Sequence, residues 1–321
     1  MHNRSAVAGA ITIFMITAFA VVGPLLARHG PLESDFARGL GADMLPVGPC
    51  EEFPLGTDRI FRDVLARLAA GARLSLVIAI SSTAIATIVG AAVGIAAGYL
   101  EGTAVLVPWP ATLGTLGCAA AVAFAHPWIG LALLGLGLAF SAFRRLPGLP
   151  VDVDAVLMRS VDILLAFPFL LLVMAIGASL ERTSAVTILV VLGATGWLGI
   201  ARVLRAKTIE VRAQEYVTAA RALGQSSPMI VLRHVVPNVS GPLVVSATVL
   251  ASQMIVADSV LSYLGVGIAP PTPTWGRMLY EGQTYVTAAP WLVVAPAVAI
   301  VTASWGFNML GEGLRDVLDP R

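Results

Sequence analysis

Lysine is almost missing from this chain: Lys207 is the only one in 321 residues, and every other basic side chain of that kind is an arginine. A phosphate-binding loop of the Gly-x-x-x-x-Gly-Lys-Ser/Thr type needs a lysine directly after glycine. Lys207 follows Ala206, so the chain carries no such ATP site of its own. Charge of either sign is scarce, at 12% of residues, where soluble domains carry roughly 25%. The net charge of +1 gives no reason to expect nucleic acid as a partner. Cys50 and Cys118 fall in a polar loop and an apolar run, so neither a disulfide nor a zinc pattern is expected. His2, His29, His126 and His234 are scattered, with no His-Glu-x-x-His or Gly-x-Ser-x-Gly pattern. No catalytic set and no metal site are expected, and the chain does not read as an enzyme.

What fills the space is apolar. Hydrophobic residues make up 57% of the chain and the mean hydropathy is +0.86, which predicts an all-α, polytopic membrane protein. Ala6 to Ala27 is a run long enough to cross ~30 Å of hydrocarbon as a helix. It lacks a clear small-x-small cleavage site, so it reads as a retained span. Arg28 to Arg73 is polar, with acids balancing the arginines; within it, Phe61 to Leu76 reads as an amphipathic lead-in at the membrane surface. Leu74 to Leu100 is the second span, with Gly90, Gly94 and Gly98 spaced for close helix contact. Ala104 to Phe143 reads as a hairpin of two short spans broken near His126-Pro127-Trp128 and closed by Arg144 and Arg145. Val151 to Leu180 is a further span, kinked at Pro168, with Arg159 and Asp162 spaced to pair at its mouth. Ser184 to Leu204 follows, carrying Gly193, Gly196 and Gly199.

Then comes the longest water-compatible interruption of the second half. Arg202, Arg205, Lys207, Arg212, Arg221 and Arg233 lie in or beside it. Thr208 to Leu223 are good helix formers, Gly224 is placed as a stop, and Tyr216, Ala220 and Leu223 form one small apolar strip. Pro237 opens the next span, which runs through Leu261 with Asp258 near its far end. Gly265 to Thr287 reads as a loop, Pro290 to Leu310 as the last span and Gly311 to Arg321 as a short tail. Arginines near the span ends put the polar segment and both termini in the cytoplasm, with an even number of spans. Arg182, Arg277 and the loop over 28–73 then fall outside.

Glu215-Tyr-Val-Thr-Ala-Ala-Arg-Ala-Leu-Gly224, followed by Pro237, resembles the cytoplasmic loop motif of importer-type ABC transporter permeases, closest to the C-type subunits of the dipeptide/oligopeptide/nickel group. Three further stretches agree, in the right order. They are Pro54-Leu-Gly-Thr-Asp-Arg-Ile-Phe-Arg-Asp-Val-Leu65 with Gly71-Ala-Arg-Leu-Ser-Leu76, Asp154 through Pro168, and Leu261-Ser-Tyr-Leu-Gly-Val-Gly267 with Pro270-Pro-Thr-Pro-Thr-Trp-Gly276. The chain departs from the pattern at Thr218, where the motif has an acid, at His234, where it has isoleucine, and at Phe61, where glycine is usual. Residues 103–150 read as an insertion relative to the family, an extra hairpin giving eight crossings rather than six, with a re-entrant pair as the alternative.

The resemblance implies a type I importer (MetI-like) helix bundle. It has a first span and extracytoplasmic segment over 1–72, a permease core over 73–313, a docking loop over about 205–233 and a tail over 314–321. It implies a bacterial plasma-membrane location and a function as half of the translocation pathway for peptides or a related small solute, nickel among them. The implied partners are a homologous B-type permease, two cytoplasmic ATPases that hold ATP and magnesium, an extracytoplasmic solute-binding protein and membrane lipid. The resemblance implies no cofactor bound by this chain itself. The docking residues carried over are Glu215, Tyr216, Thr218, Ala219, Ala220, Arg221, Ala222, Leu223, Gly224 and Pro237, with Ala219 and Ala220 offering little bulk to a groove and Glu215 and Arg221 flanking it. An ion-coupled secondary transporter is the alternative; it would place ionisable residues at mid-span, whereas Asp162 and Asp258 lie near span ends.

Overall fold

A computed structural model describes residues 4–41, 44–108, 135, 148–179 and 184–318. The predicted helical bundle is what forms. In chain order the helices are α1 (Arg4–Leu26), α2 (Val64–Tyr99), α3 (Val153–Leu165), α4 (Phe169–Ala178), α5 (Ala185–Arg212), α6 (Glu215–Ala222), α7 (Ser227–Ile230), α8 (Val236–Tyr263), α9 (Trp275–Gly282) and α10 (Trp291–Leu318). Among the described residues five helical rods are long and apolar enough to cross a membrane, or six if α3 and α4, bent by 82°, form one broken span. The break falls at Phe167-Pro168, because proline removes a helix N–H and crowds the preceding turn.

The bundle is assembled around α2 and α5, its most extensive helix pair. A Cβ on Gly90 would lie 2.8 Å from the Trp197 carbonyl, one on Gly94 2.4 Å from that of Ala201, and one on Gly98 2.6 Å from that of Arg205. Each glycine therefore meets the backbone of the next turn of α5, and the backbones touch where side chains would hold them apart. Gly193 seats against Ile85, and Gly196 against Met254 of α8, whereas Gly199 meets nothing within 4 Å. At the far side of the bundle α1 lies on α10, where Gly9 meets Leu310 and Gly313 meets Ala6, so the start of α1 and the end of α10 are neighbours.

Several helix boundaries differ from the sequence reading. The lead-in and the second span are a single 36-residue helix. Its first turns are enclosed rather than spread on a membrane surface: Val64, Leu68 and Ala72 are buried, and Arg67 is 1% exposed. Asp63 caps it by accepting from the N–H groups of Leu65 and Ala66, at 2.8 and 3.3 Å. Burial pushes the Asp63 carboxyl above its ordinary range, against the lowering from those two bonds. The loop after α8 folds its second half into α9, and α10 continues to Leu318 through most of the expected tail. Asp162 pairs with Arg202 of α5 at 2.6 Å rather than with Arg159. Asp258 is fully enclosed and accepts from Ser75 of α2 at 3.1 Å.

The expected hairpin over 103–150, with Trp109, Cys118, His126, Trp128, Arg144 and Arg145, lies mostly outside the described residues, as does Arg182. Its two ends are described. They do not begin a helix but pair as an antiparallel ribbon, β1 (Ala104–Pro108) with β2 (Gly148–Asp152), in the register Ala104 to Asp152. The ends of the inserted stretch thus return to one place, next to the end of α2.

Three of the arginines that stood apart in the orientation reading, Arg62, Arg67 and Arg277, are drawn into one largely enclosed ion cluster, while Arg38, Arg59 and Arg73 stay exposed. Arg62 and Arg67 both reach Glu281 of α9, at 3.0 and 2.9 Å, and Asp58, at 2.7 and 3.3 Å. Arg277 adds a third guanidinium at 3.1 Å from Glu281. Trp275, fully buried, donates its indole N–H to the Leu68 carbonyl at 3.1 Å. Phe61 keeps a left-handed φ of 63° in the turn that sets this up, a conformation glycine adopts without strain. It is held there with its ring edge-on to Phe36, centroids 5.2 Å apart.

Two outcomes follow for stability, read as thermal midpoints of the purified protein in detergent. Gly94→Val overpacks a backbone contact and is expected to cost about 1–3 kcal/mol or more, while Gly199→Ala, facing open space, leaves the midpoint unchanged. Glu281→Ala strands buried guanidinia and is expected to cost about 3–5 kcal/mol, with Glu281→Gln intermediate.

Candidate coupling site

α6 is eight residues long, too short to hold itself as a helix in water. It stands because one face is packed: Val217 is fully buried and Ala220 8% exposed, in the same core as Val211, Ile230 and Val235. The long helix expected from Thr208 to Leu223 is divided at Ala213-Gln214, where Gln214 turns extended and α6 starts again. Glu215 in the first turn and Arg221 in the last complement the helix dipole. The end is closed by Gly224 at φ +79°. Gln225 N–H reaches the Ala220 carbonyl at 3.1 Å and Gly224 N–H that of Arg221 at 3.0 Å, the paired pattern of a Schellman stop.

The outer face of α6 is what water sees. Glu215, Tyr216, Thr218, Ala219, Arg221, Ala222, Leu223 and Gly224 are all exposed. Leu223 is 88% exposed, and Met229 and Leu232 just beyond it are also open. The expected strip of Tyr216, Ala220 and Leu223 does not form, since Ala220 turns inward with Val217 while the other two face out. Ala220 therefore belongs to the bundle and Ala219 to the surface. Tyr216 leans on His234, ring centroids 5.9 Å apart, and His234 Nε2 lies 3.1 Å from the Gln225 amide oxygen. Pro237 does not open a fresh helix. A π turn over Val231–Val235 joins α7 to α8, and the Val236 N–H bonds back to Val231, five residues earlier, just ahead of the position where proline has no N–H to give.

Below α6 a chain of arginines ties the bundle ends together. Arg212 donates to the Tyr99 and Glu101 carbonyls at 2.7 and 2.8 Å, fixing α5 to the end of α2. Arg205 forms a two-pronged pair with Asp154 of α3 and reaches Glu101 at 3.4 Å. Arg221 lies over the Tyr99 ring, 6.0 Å from its centre. These contacts join the ends of α2, α3 and α5 beside α6.

Between α4, α5 and α8 lies an apolar cleft of about 790 Å³, with Phe169, Gly199 and Val203 on its walls and Thr195, Ser246 and Gln253 as polar points. Sequence reading missed it; an amide at Gln253 within a span was the available signal. Asp258 does not line it.

Two family descriptions match the chain: the binding-protein-dependent transport system inner membrane component over residues 132–321, and the N-terminal transmembrane domain of oligopeptide transport permease C over residues 1–42. The oligopeptide transport system permease protein OppC of Salmonella typhimurium is 33% identical over all of this chain and 88% of its own length. The dipeptide transport system permease protein DppC of Alkalihalophilus pseudofirmus is 31% identical over 99% of this chain and 86% of its own. The OppC of Bacillus subtilis is 28% identical over 99% and 86%. With a bundle of apolar spans, a small exposed helix stopped at Gly224, and relatives that align over the whole of this chain, the chain belongs to the family of binding-protein-dependent transport system inner membrane components, as a transport permease.

Proposed function

We propose that this permease is one of two homologous membrane subunits of an ATP-driven importer for peptides, and that α6 is the part gripped by a separate cytoplasmic ATPase. Leu223 carries the reading. A leucine left 88% exposed on a charged helix, with Tyr216 and Ala219 beside it, makes sense as an anchor for a protein groove. Glu215 and Arg221 stand at the two ends of the same helix to pair with surface charges. Chain direction puts α6, the start of α1 and the end of α10 at one end of the bundle, together with Arg202, Arg205, Arg212, Arg233 and Arg315. That concentration of arginine favours the cytoplasm, with both termini inside. The apolar cleft between α4, α5 and α8 is the surface that a second permease would complete, with the solute path between the two. A solute-binding protein would deliver cargo at the opposite end, where α9 and the segment before α2 lie.

ATP and magnesium would be bound by the partner ATPases; without a phosphate loop this chain receives only displacement. Closure of the ATPases favours one bundle conformation over the other through differential binding. Nothing favours ion coupling: Asp162 is paired with Arg202 and Asp258 is shut against Ser75.

In proteoliposomes holding the full complex and its binding protein, vanadate is expected to stop peptide uptake. Uptake that persists without nucleotide hydrolysis refutes the scheme. Leu223→Asp and Ala219→Trp are expected to lower uptake about 30-fold or more, the scale of a lost anchor worth about 2 kcal/mol, with membrane insertion unchanged. Bulk at Ala220 acts differently: it lifts α6 from the core and lowers the thermal midpoint as well. Parental uptake in both Leu223→Asp and Ala219→Trp would remove α6 from the coupling path.

A further inference from the structure

The segment between α1 and α2 gathers a donor set that sequence order hides. His29 follows α1, Asp35 lies in the turns after it, and Glu52 arrives from a later loop. One ligand atom from each of the three lies within 4.8 Å of the others. The imidazole is held by stacking on the buried ring of Phe53, centroids 4.8 Å apart and planes 23° from parallel. Its Nε2 faces Glu52 Oε1 at 4.0 Å and its Nδ1 faces Asp63 Oδ2 at 3.9 Å.

The independent observation is Asp63. Its side chain is fully buried. One oxygen caps α2, while Oδ2 has no hydrogen-bond partner, and neither has the buried His29 Nδ1 that it faces. A donor and an acceptor enclosed opposite one another are satisfied when Nδ1 carries the proton and gives it to Asp63. That tautomer leaves the Nε2 lone pair aimed at the Glu52 carboxylate. Two acceptors facing each other at 4.0 Å make a place where a cation can bind both. A carboxylate behind a histidine, fixing its tautomer and sharpening its basicity, is how metal-bound imidazoles are supported.

We propose that His29, Asp35 and Glu52 bind one divalent first-row metal ion, with Asp63 positioning the His29 ring. One imidazole and two carboxylates suit zinc or its neighbours, with water completing the shell. Metal–donor bonds of about 2.0–2.2 Å require the donors to close by about 1 Å from their present separations. Arg38 stands in the way and also shows the need. Its Nη1 is 2.6 Å from Glu52 Oε1, supplying the positive charge that the ion would bring, and its side chain is 65% exposed and free to swing aside. Asp35 Oδ1 accepts from the N–H groups of Ala37 and Arg38, both at 3.1 Å, which aims its carboxylate. The ion would fasten the end of α1 to the cap of α2, at the opposite end of the bundle from α6, and its presence does not depend on the role of α6.

The test uses the full chain in detergent micelles, purified with a tag that contains no histidine, with zinc and cobalt as probes. Equilibrium dialysis is expected to find one zinc per chain at micromolar free zinc, and cobalt to give visible absorption bands. His29→Gln and Glu52→Gln should each weaken binding about tenfold or more. Asp63→Asn keeps a capping side chain but loses the supporting carboxylate, and should weaken it about 10- to 100-fold. Arg38→Gln, which touches no core packing, should tighten it. Failure of the parental chain and of Arg38→Gln to retain zinc overturns the site. So does equal retention by His29→Gln and Glu52→Gln, which would place the ion on other side chains.

Discussion

The backbone contact between α2 and α5 is the constraint on which the rest depends. Within a lipid-facing bundle there is little hydrophobic force to press helices together, because lipid tails are as apolar as leucine. Contact area has to come from fit. Gly90, Gly94 and Gly98 supply it by letting one carbonyl from each of three successive turns of α5 come within the space a methyl group would occupy. The same register carries Arg205 and Arg212 to the end of α2, where they find Glu101 and the Tyr99 carbonyl. The platform beneath α6 is therefore set by glycines far up the helix pair.

Charge is handled at the two ends of the bundle by opposite means. Around Glu281 the ions are largely buried and share partners, three guanidinia on the carboxylates of Asp58 and Glu281, which holds α9 against the start of α2. Breaking such a cluster is costly because each member is shielded from water. Around α6 the pairs are open to solvent at Arg202 and half-open at Arg205, and exposed pairs are individually weak. The first end is built to stay closed. The second is held by pairs that are more open to solvent.

Much of this was legible beforehand. Outside the 103–150 stretch the apolar runs gave the spans, the Gly90–Gly98 spacing marked the interior helix, and the Glu215–Gly224 motif located the exposed helix with its stop. The misreadings have one origin. Phe61 to Leu76 has a helical stripe with arginines between, and such a pattern looks alike whether the charged face meets headgroups or a buried glutamate 214 residues away. Asp162 had a nearby arginine in sequence and a better one across the bundle. Ala220 and Ala219 are equivalent as letters, and only packing decides which of them faces in.

Composition and local spacing by themselves determined that this chain is a helical membrane protein without a Gly-Lys phosphate loop, and where its polar helix lies; the resemblance of its motifs added that it is a transport permease. Those properties depend on hydropathy and backbone preference over a turn or a span, which neighbouring residues set. The tertiary structure alone decided which charges are buried together, which face of α6 is offered outward, and that His29, Asp35, Glu52 and Asp63 meet. Each of those depends on bringing distant segments within a few ångströms, and that distance is a product of helix packing, not of order along the chain.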